Sequence, residues 1–128
     1  MAHIALPEIV AIHQALADPT RIRVMRLVLE RELCVCEIVG ALEEPQYKVS
    51  RHLTVLKNAG LVRDRRAGTY MFYAVAPDVS GELLTALQAL AQVWDAIPEV
   101  ERALWRVRNL CFLPDGKPCC SDEKPCCE

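Results

Sequence analysis

What most limits the folds open to this chain is the stretch from Glu32 to Gly60, where two short helical periods meet across an abrupt break. On the first side Val35, Ile38, Val39 and Leu42 recur at i, i+3, i+4 and i+7, the spacing of one buried helix face, which predicts a helix over 33–42. Glu43, Glu44 and Pro45 interrupt it, because proline biases the residue before it away from helical geometry and cannot itself continue a helix. On the second side Val49, Leu53 and Leu56 make the inward face of a helix over 46–59, and Gly60 supplies its stop. Two helices joined this way read as a helix-turn-helix. A helical wheel sets Tyr47, Arg51, Thr54 and Asn58 opposite the apolar face, with Lys48 and Ser50 beside them and Gln46 at the start. These side chains can bond phosphate oxygens or base edges.

The segment after Gly60 strengthens that reading. Residues 61–66 and 70–75 are rich in β-formers and are joined by Ala67, Gly68 and Thr69, the signature of a β-hairpin with a short glycine-containing turn. Directly behind a helix-turn-helix such a hairpin is the wing of a winged helix, and Arg63, Arg65 and Arg66 on it suit phosphate or minor-groove contacts. Tyr70 and Tyr73 read as packing rather than base-stacking groups. With 15 Lys and Arg against 17 Asp and Glu, overall charge argues against a nucleic-acid partner, but its distribution reverses the argument. Between Gln46 and Tyr73 the bases Lys48, Arg51, Lys57, Arg63, Arg65 and Arg66 face only Asp64. Local sign is what a phosphate feels, since salt screens charges beyond about 8 to 10 Å.

Seven cysteines add a second chemistry. Cys34 and Cys36 open the first helix of the pair, and Cys119, Cys120, Cys126 and Cys127 stand as two vicinal pairs in a polar, proline-containing tail. In a reducing cytosol such clusters are metal ligands or redox thiols more often than disulfides. Successive helical residues turn by about 100°, so thiols two apart on an intact helix do not face one another. The helix must then begin after Cys36, or ion binding must unwind its first turn. Thiolates select soft ions: As(III), Sb(III), Cd(II), Pb(II), Cu(I) or Zn(II). Trivalent arsenic takes three sulfurs, so a third must join Cys34 and Cys36, from the tail of the same or another subunit or from Cys111. The tail pairs are also readable as a separate thiol site that captures metal without affecting DNA.

The run ELCVCEI, Gln46 and Lys48, the run VSRHLTVLKNAGLV and the basic RDRRAGTYMFYAV together resemble the ArsR (ArsR/SmtB) family of metal-responsive repressors, most of all its arsenic-sensing branch. The resemblance runs from about Pro7 to Leu90. It implies a mainly α, homodimeric winged helix-turn-helix with a small β-hairpin, which binds operator DNA and lets go when an inducer, As(III) or Sb(III), binds its cysteines. Cd(II) or Pb(II) is the alternative inducer. It also implies a resistance operon that includes the chain's own gene. The best-known arsenic sensors carry a third cysteine three residues after the second, where this chain has Val39. The zinc-sensing branch keeps an Asp and His site in its late helix. Only His3, His13 and His52 exist here, none of them in that helix, and His52 reads as a hydrogen-bonded structural residue.

The remaining pattern fits a dimerising helical domain over 1–110 and a flexible Cys-rich tail over 111–128. Leu6, Ile9, Val10, Ile12 and Leu16 cover more than one helix face, a surplus that suggests a partner subunit. Asp18 and Pro19 signal the start of a helix with Ile22, Met25 and Leu29 inward and Arg21, Arg23 and Arg26 exposed. Pro77, Asp78 and Ser80 announce another, with a stripe of Leu83, Leu87, Leu90 and Trp94 and with Leu84 on a second side; after Pro98 a last one over 99–110 turns Val100, Leu104 and Val107 inward. In the resembled family the first helix and the one that carries Leu83, Leu87, Leu90 and Trp94 build the dimer interface. No apolar run reaches the about 20 residues a membrane span needs, and the amino terminus shows no basic region followed by an apolar one, so the expected location is cytoplasmic. A thiol-based sequestering protein is the rival from another class, but it leaves the basic wing unexplained. An enzyme is not expected, since no anion loop or strand-cysteine-helix unit is there to activate a nucleophile. A repressor triggered by a disulfide between Cys34 and Cys36 would answer to oxidant instead of metal.

Overall fold

The computed structural model describes residues 4–110. Cys111, the tail cysteines Cys119, Cys120, Cys126 and Cys127, and the flexible tail expected over 111–128 all lie outside the described residues. Among the described residues six helices and three strands follow in the order α1 (Leu6–Ala15), α2 (Pro19–Glu30), β1 (Leu33–Cys34), α3 (Val35–Leu42), α4 (Gln46–Asn58), β2 (Val62–Ala67), β3 (Tyr70–Val75), α5 (Gly81–Trp94) and α6 (Pro98–Asn109). Among the described residues no helix is long and apolar enough to cross a membrane.

The local signals act as their chemistry requires. Asp18 caps α2, its Oδ1 accepting from the backbone N–H groups of Thr20 and Arg21 at 2.9 and 3.1 Å. Ser80 caps α5 through the N–H of Leu83. The break at Glu43 is a left-handed residue, φ 55°, whose N–H still reaches the carbonyl of Val39 and so turns the chain out of α3 toward α4. Gly60, at φ 82°, ends α4 with the Leu61 N–H returning to Leu56 O at 3.0 Å, a reversal few residues but glycine accept.

The core lies where α2, α3, α4 and α6 meet the sheet. Val24, Met25, Leu27, Leu33, Ile38, Val49, Leu53, Leu56 and Leu61 are fully enclosed. The expected inward faces of α3, α4 and α6 are the observed ones, and the apolar surplus of α1 is real, with Leu6 and Val10 exposed.

Four expectations need correction. The helix expected over 33–42 starts at Val35, because Leu33 and Cys34 pair with Tyr73 and Phe72 as a third strand, giving the sheet order β1-β3-β2. Ala67 belongs to β2, leaving Gly68 and Thr69 as the turn. Of the three α2 arginines expected to be exposed, Arg21 and Arg23 are half-buried and Arg26 is buried: its Nε and Nη2 meet the Asp95 carboxylate at 2.6 and 3.3 Å and its Nη1 meets Glu30 at 3.3 Å, which offsets part of the cost of enclosing the charge. In α5 the buried stripe is Leu87, Ala91 and Trp94, and Leu90 points outward.

Candidate DNA interface and thiol pair

The second helix of the pair, α4, is anchored by Val49, Leu53 and Leu56, none of which is exposed. That anchoring turns Gln46, Tyr47, Arg51, Thr54 and Asn58 to solvent on one side, with Lys48 and Ser50 half-buried at its edge. The Arg51 guanidinium lies 5.8 Å from the Tyr47 ring centroid, close enough for mutual attraction to steady two long side chains. Lys48 is drawn back to Glu44 at 3.2 Å, and Arg23 reaches the same carboxylate at 3.4 Å, so Arg23 braces the turn before α4. His52 sits half-buried against Arg21, whose Nη1 lies 3.3 Å from His52 Nδ1, with Asp18 at 3.9 Å. Burial pushes its pKa down, opposed by Asp18, as suits a neutral structural histidine.

On the wing, Arg65 and Arg66 are exposed and Arg63 half-buried. Residues 63 and 65 share one face of β2, and both arginines turn to the carboxylate of Glu32. Asp64, on the other face, meets Lys57 of α4 at 2.8 Å and fastens the wing to that helix. All ten residues singled out for DNA thus lie on α4 and the adjoining hairpin.

The cysteine pair departs from the helical-wheel argument. Cys34 is the residue before α3, in extended geometry (φ −70°, ψ 148°), and its sulfur accepts the Cys36 N–H at 3.4 Å. Because a capping residue is not helical, its side chain folds over the first turn, and the two sulfurs converge at 2.6 Å with the helix intact. The convergence follows from the later helix start: α3 begins at Val35, one residue before Cys36, and leaves Cys34 outside the helix. Both are free thiols, Cys34 buried and Cys36 partly so. Burial pushes the Cys36 thiol up to about 12, and the neighbouring Cys34 sulfur and the charge of Glu37 act in the same direction.

Glu37 completes the cap: its Oε1 accepts the Cys34 N–H at 3.0 Å. Its other oxygen takes Arg31 Nη2 at 2.8 Å, and that same nitrogen points to the Val107 carbonyl at 3.5 Å, near the end of α6. Glu37 was missed in the sequence, although Cys34-x-x-Glu37 is a capping-box spacing once cysteine is allowed the place of serine. Among the described residues no three His, Cys, Asp or Glu side chains gather as a metal would need. The donor set suits a soft ion but is one sulfur short of the trigonal arsenic site.

A helix-turn-helix whose second helix is bare on one side, followed by a basic hairpin, defines a winged helix-turn-helix DNA-binding protein. The profile of the bacterial regulatory protein, arsR family, matches residues 18–64. The arsenical resistance operon repressor of Escherichia coli is 34% identical over 119 residues, 92% of this chain and 94% of that protein. The arsenic resistance transcriptional regulator ArsR1 of Pseudomonas putida is 48% identical over 80 residues, 62% of this chain and 61% of its own length. Among solved structures, a homodimeric winged helix-turn-helix DNA-binding domain from Mycobacterium bovis, described as a possible ArsR-family transcriptional regulator, superposes with a TM-score of 0.61 at 27% identity, over 74% of this chain and 91% of that one. The chain belongs to the ArsR family of bacterial transcriptional regulators and is a DNA-binding repressor, not an enzyme.

Proposed function

We propose that this chain acts in the cytoplasm as a homodimer on a two-fold symmetric operator, with α4 in the major groove and the wing arginines on the backbone, and that As(III) or Sb(III) at Cys34 and Cys36 releases it. The observation that carries the reading is the convergence of both sulfurs on the cap of α3, the helix packed directly against α4. An ion bonded to Cys34 competes with the sulfur cap at the start of α3. A hundredfold loss of operator affinity needs about 2.7 kcal/mol of coupling, within the range of ordinary allostery. The arsenic-resistance relatives support the choice of ion.

The third sulfur comes from the tail. Arg31 and Glu37 link the carbonyl of Val107, three residues before Leu110, to the cap of α3, which supports a ligand supplied from beyond α6. From Leu110 to Cys119 an extended chain spans up to about 30 Å, ample for Cys119 or Cys120 to return.

Fluorescence anisotropy of labelled DNA from upstream of the chain's own gene, titrated with arsenite, antimonite, cadmium and zinc, tests the reading. Arsenite should release the DNA at the lowest concentration. Release by cadmium alone would move the inducer to Cd(II) or Pb(II), and DNA held against every ion would remove the thiol trigger. Metal uptake with no DNA binding would favour sequestration.

A further inference from the structure

Glu32 stands two residues before Cys34 and its carboxylate is shared by two wing arginines. Arg63 Nη1 lies 3.2 Å from Oε2, Arg65 Nε 3.2 Å from the same oxygen, and Arg65 Nη2 2.7 Å from Oε1. The Arg65 guanidinium also covers the Phe72 ring at 4.9 Å, directly across the ladder from it. The two-oxygen grip on Arg65, with a second cation alongside, is the geometry in which a guanidinium binds a phosphate. Two of the three wing arginines therefore meet in the free protein a group that imitates what the DNA backbone would offer.

We propose that Glu32 competes with DNA phosphate for Arg63 and Arg65 and so sets the repressor's affinity for DNA. The proposal rests on the reading of the wing as a DNA contact. An exposed ion pair is weak enough to be exchanged, so the carboxylate lowers affinity without forbidding binding. Each phosphate engaged steepens the dependence of log K on log salt by about 0.9, so freeing the two arginines leaves a mark in the salt slope as well as in the affinity.

Backbone contacts do not depend on sequence, so a labelled mixed-sequence duplex of about 30 base pairs serves as probe. Glu32→Gln should bind it about threefold to tenfold more tightly than wild type, with a slope steeper by about 1 to 2. Glu99→Gln, the same change of net charge on an exposed residue of α6, is the control. Arg65→Gln should cost little in the wild-type background and remove most of the gain in the Glu32→Gln background. Glu32→Gln binding no more tightly than Glu99→Gln, or more weakly than wild type, would overturn the proposal. Equal losses from Arg65→Gln in both backgrounds would keep the wing on the DNA and discard the competition. No loss in either background would discard the wing contact itself.

Discussion

Whether Cys36 holds a proton decides how each ion would load the pair. With its pKa raised to about 12, the side chain is a neutral thiol at physiological pH. A divalent ion such as Cd(II) must displace that proton, so its apparent affinity should rise up to about tenfold per pH unit for each proton released, with no levelling between about pH 6 and about pH 8. Neutral arsenous acid exchanges each hydroxyl for a thiol and releases water, with no net proton, so arsenite affinity should stay flat over the same range. Competition titrations at several pH values measure both slopes, and a pH-dependent arsenite affinity would contradict a protonated Cys36. Cys34→Ser should keep DNA binding and abolish arsenite release, because serine is itself a favoured cap and leaves α3 in place. Release of the Cys34→Ser variant at the wild-type arsenite concentration would show that the trigger lies elsewhere. The thiols could be picked out in the sequence but their geometry could not. The wheel assumed helix through Cys34, and a capping residue obeys different dihedrals.

At the scale of elements, the legible parts were those with a full period. The inward faces of α3, α4 and α6 came from spacing because three or four apolar residues repeat in each. The two-residue β1 has no period to read, and its place at the sheet edge depends on pairing with Tyr73 and Phe72, about 40 residues on. Arg26 misled for a related reason, since its partner Asp95 closes a contact across 69 residues that no local pattern announces. Asp95→Ala should lower stability by about 2 kcal/mol in urea denaturation, less than a lone buried charge would lose because Glu30 remains beside Arg26. On α4, Arg51→Ala should weaken operator binding by roughly 1 to 3 kcal/mol with an unchanged urea midpoint, since Arg51 is exposed and its aromatic neighbour, Tyr47, stands on the same helix. A variant that binds as tightly as wild type would remove this side chain from the interface.

For the whole molecule, the question is what covers the apolar surface that the core leaves out. Leu6 is 75% exposed and Val10 45% on α1, Val93 65% and Leu90 41% on α5, and Ile97, just past α5, 38%. Apolar side chains left exposed on α1 and α5 suit a self-complementary surface, where each residue contributes twice. Val93→Glu should convert the dimer to monomer in sedimentation, leave the helical circular dichroism intact, and cost roughly a hundredfold or more in operator affinity as the second half-site ceases to be an intramolecular target. A variant that sediments as a dimer would place the interface on another face. The same monomer separates the two origins open to the proposed third sulfur. If arsenite still shields three thiols per chain from a thiol reagent, the tail closes on the cap of its own α3. If two are shielded in the monomer and three in the dimer, the proposed third sulfur crosses between subunits, and assembly and sensing are a single equilibrium.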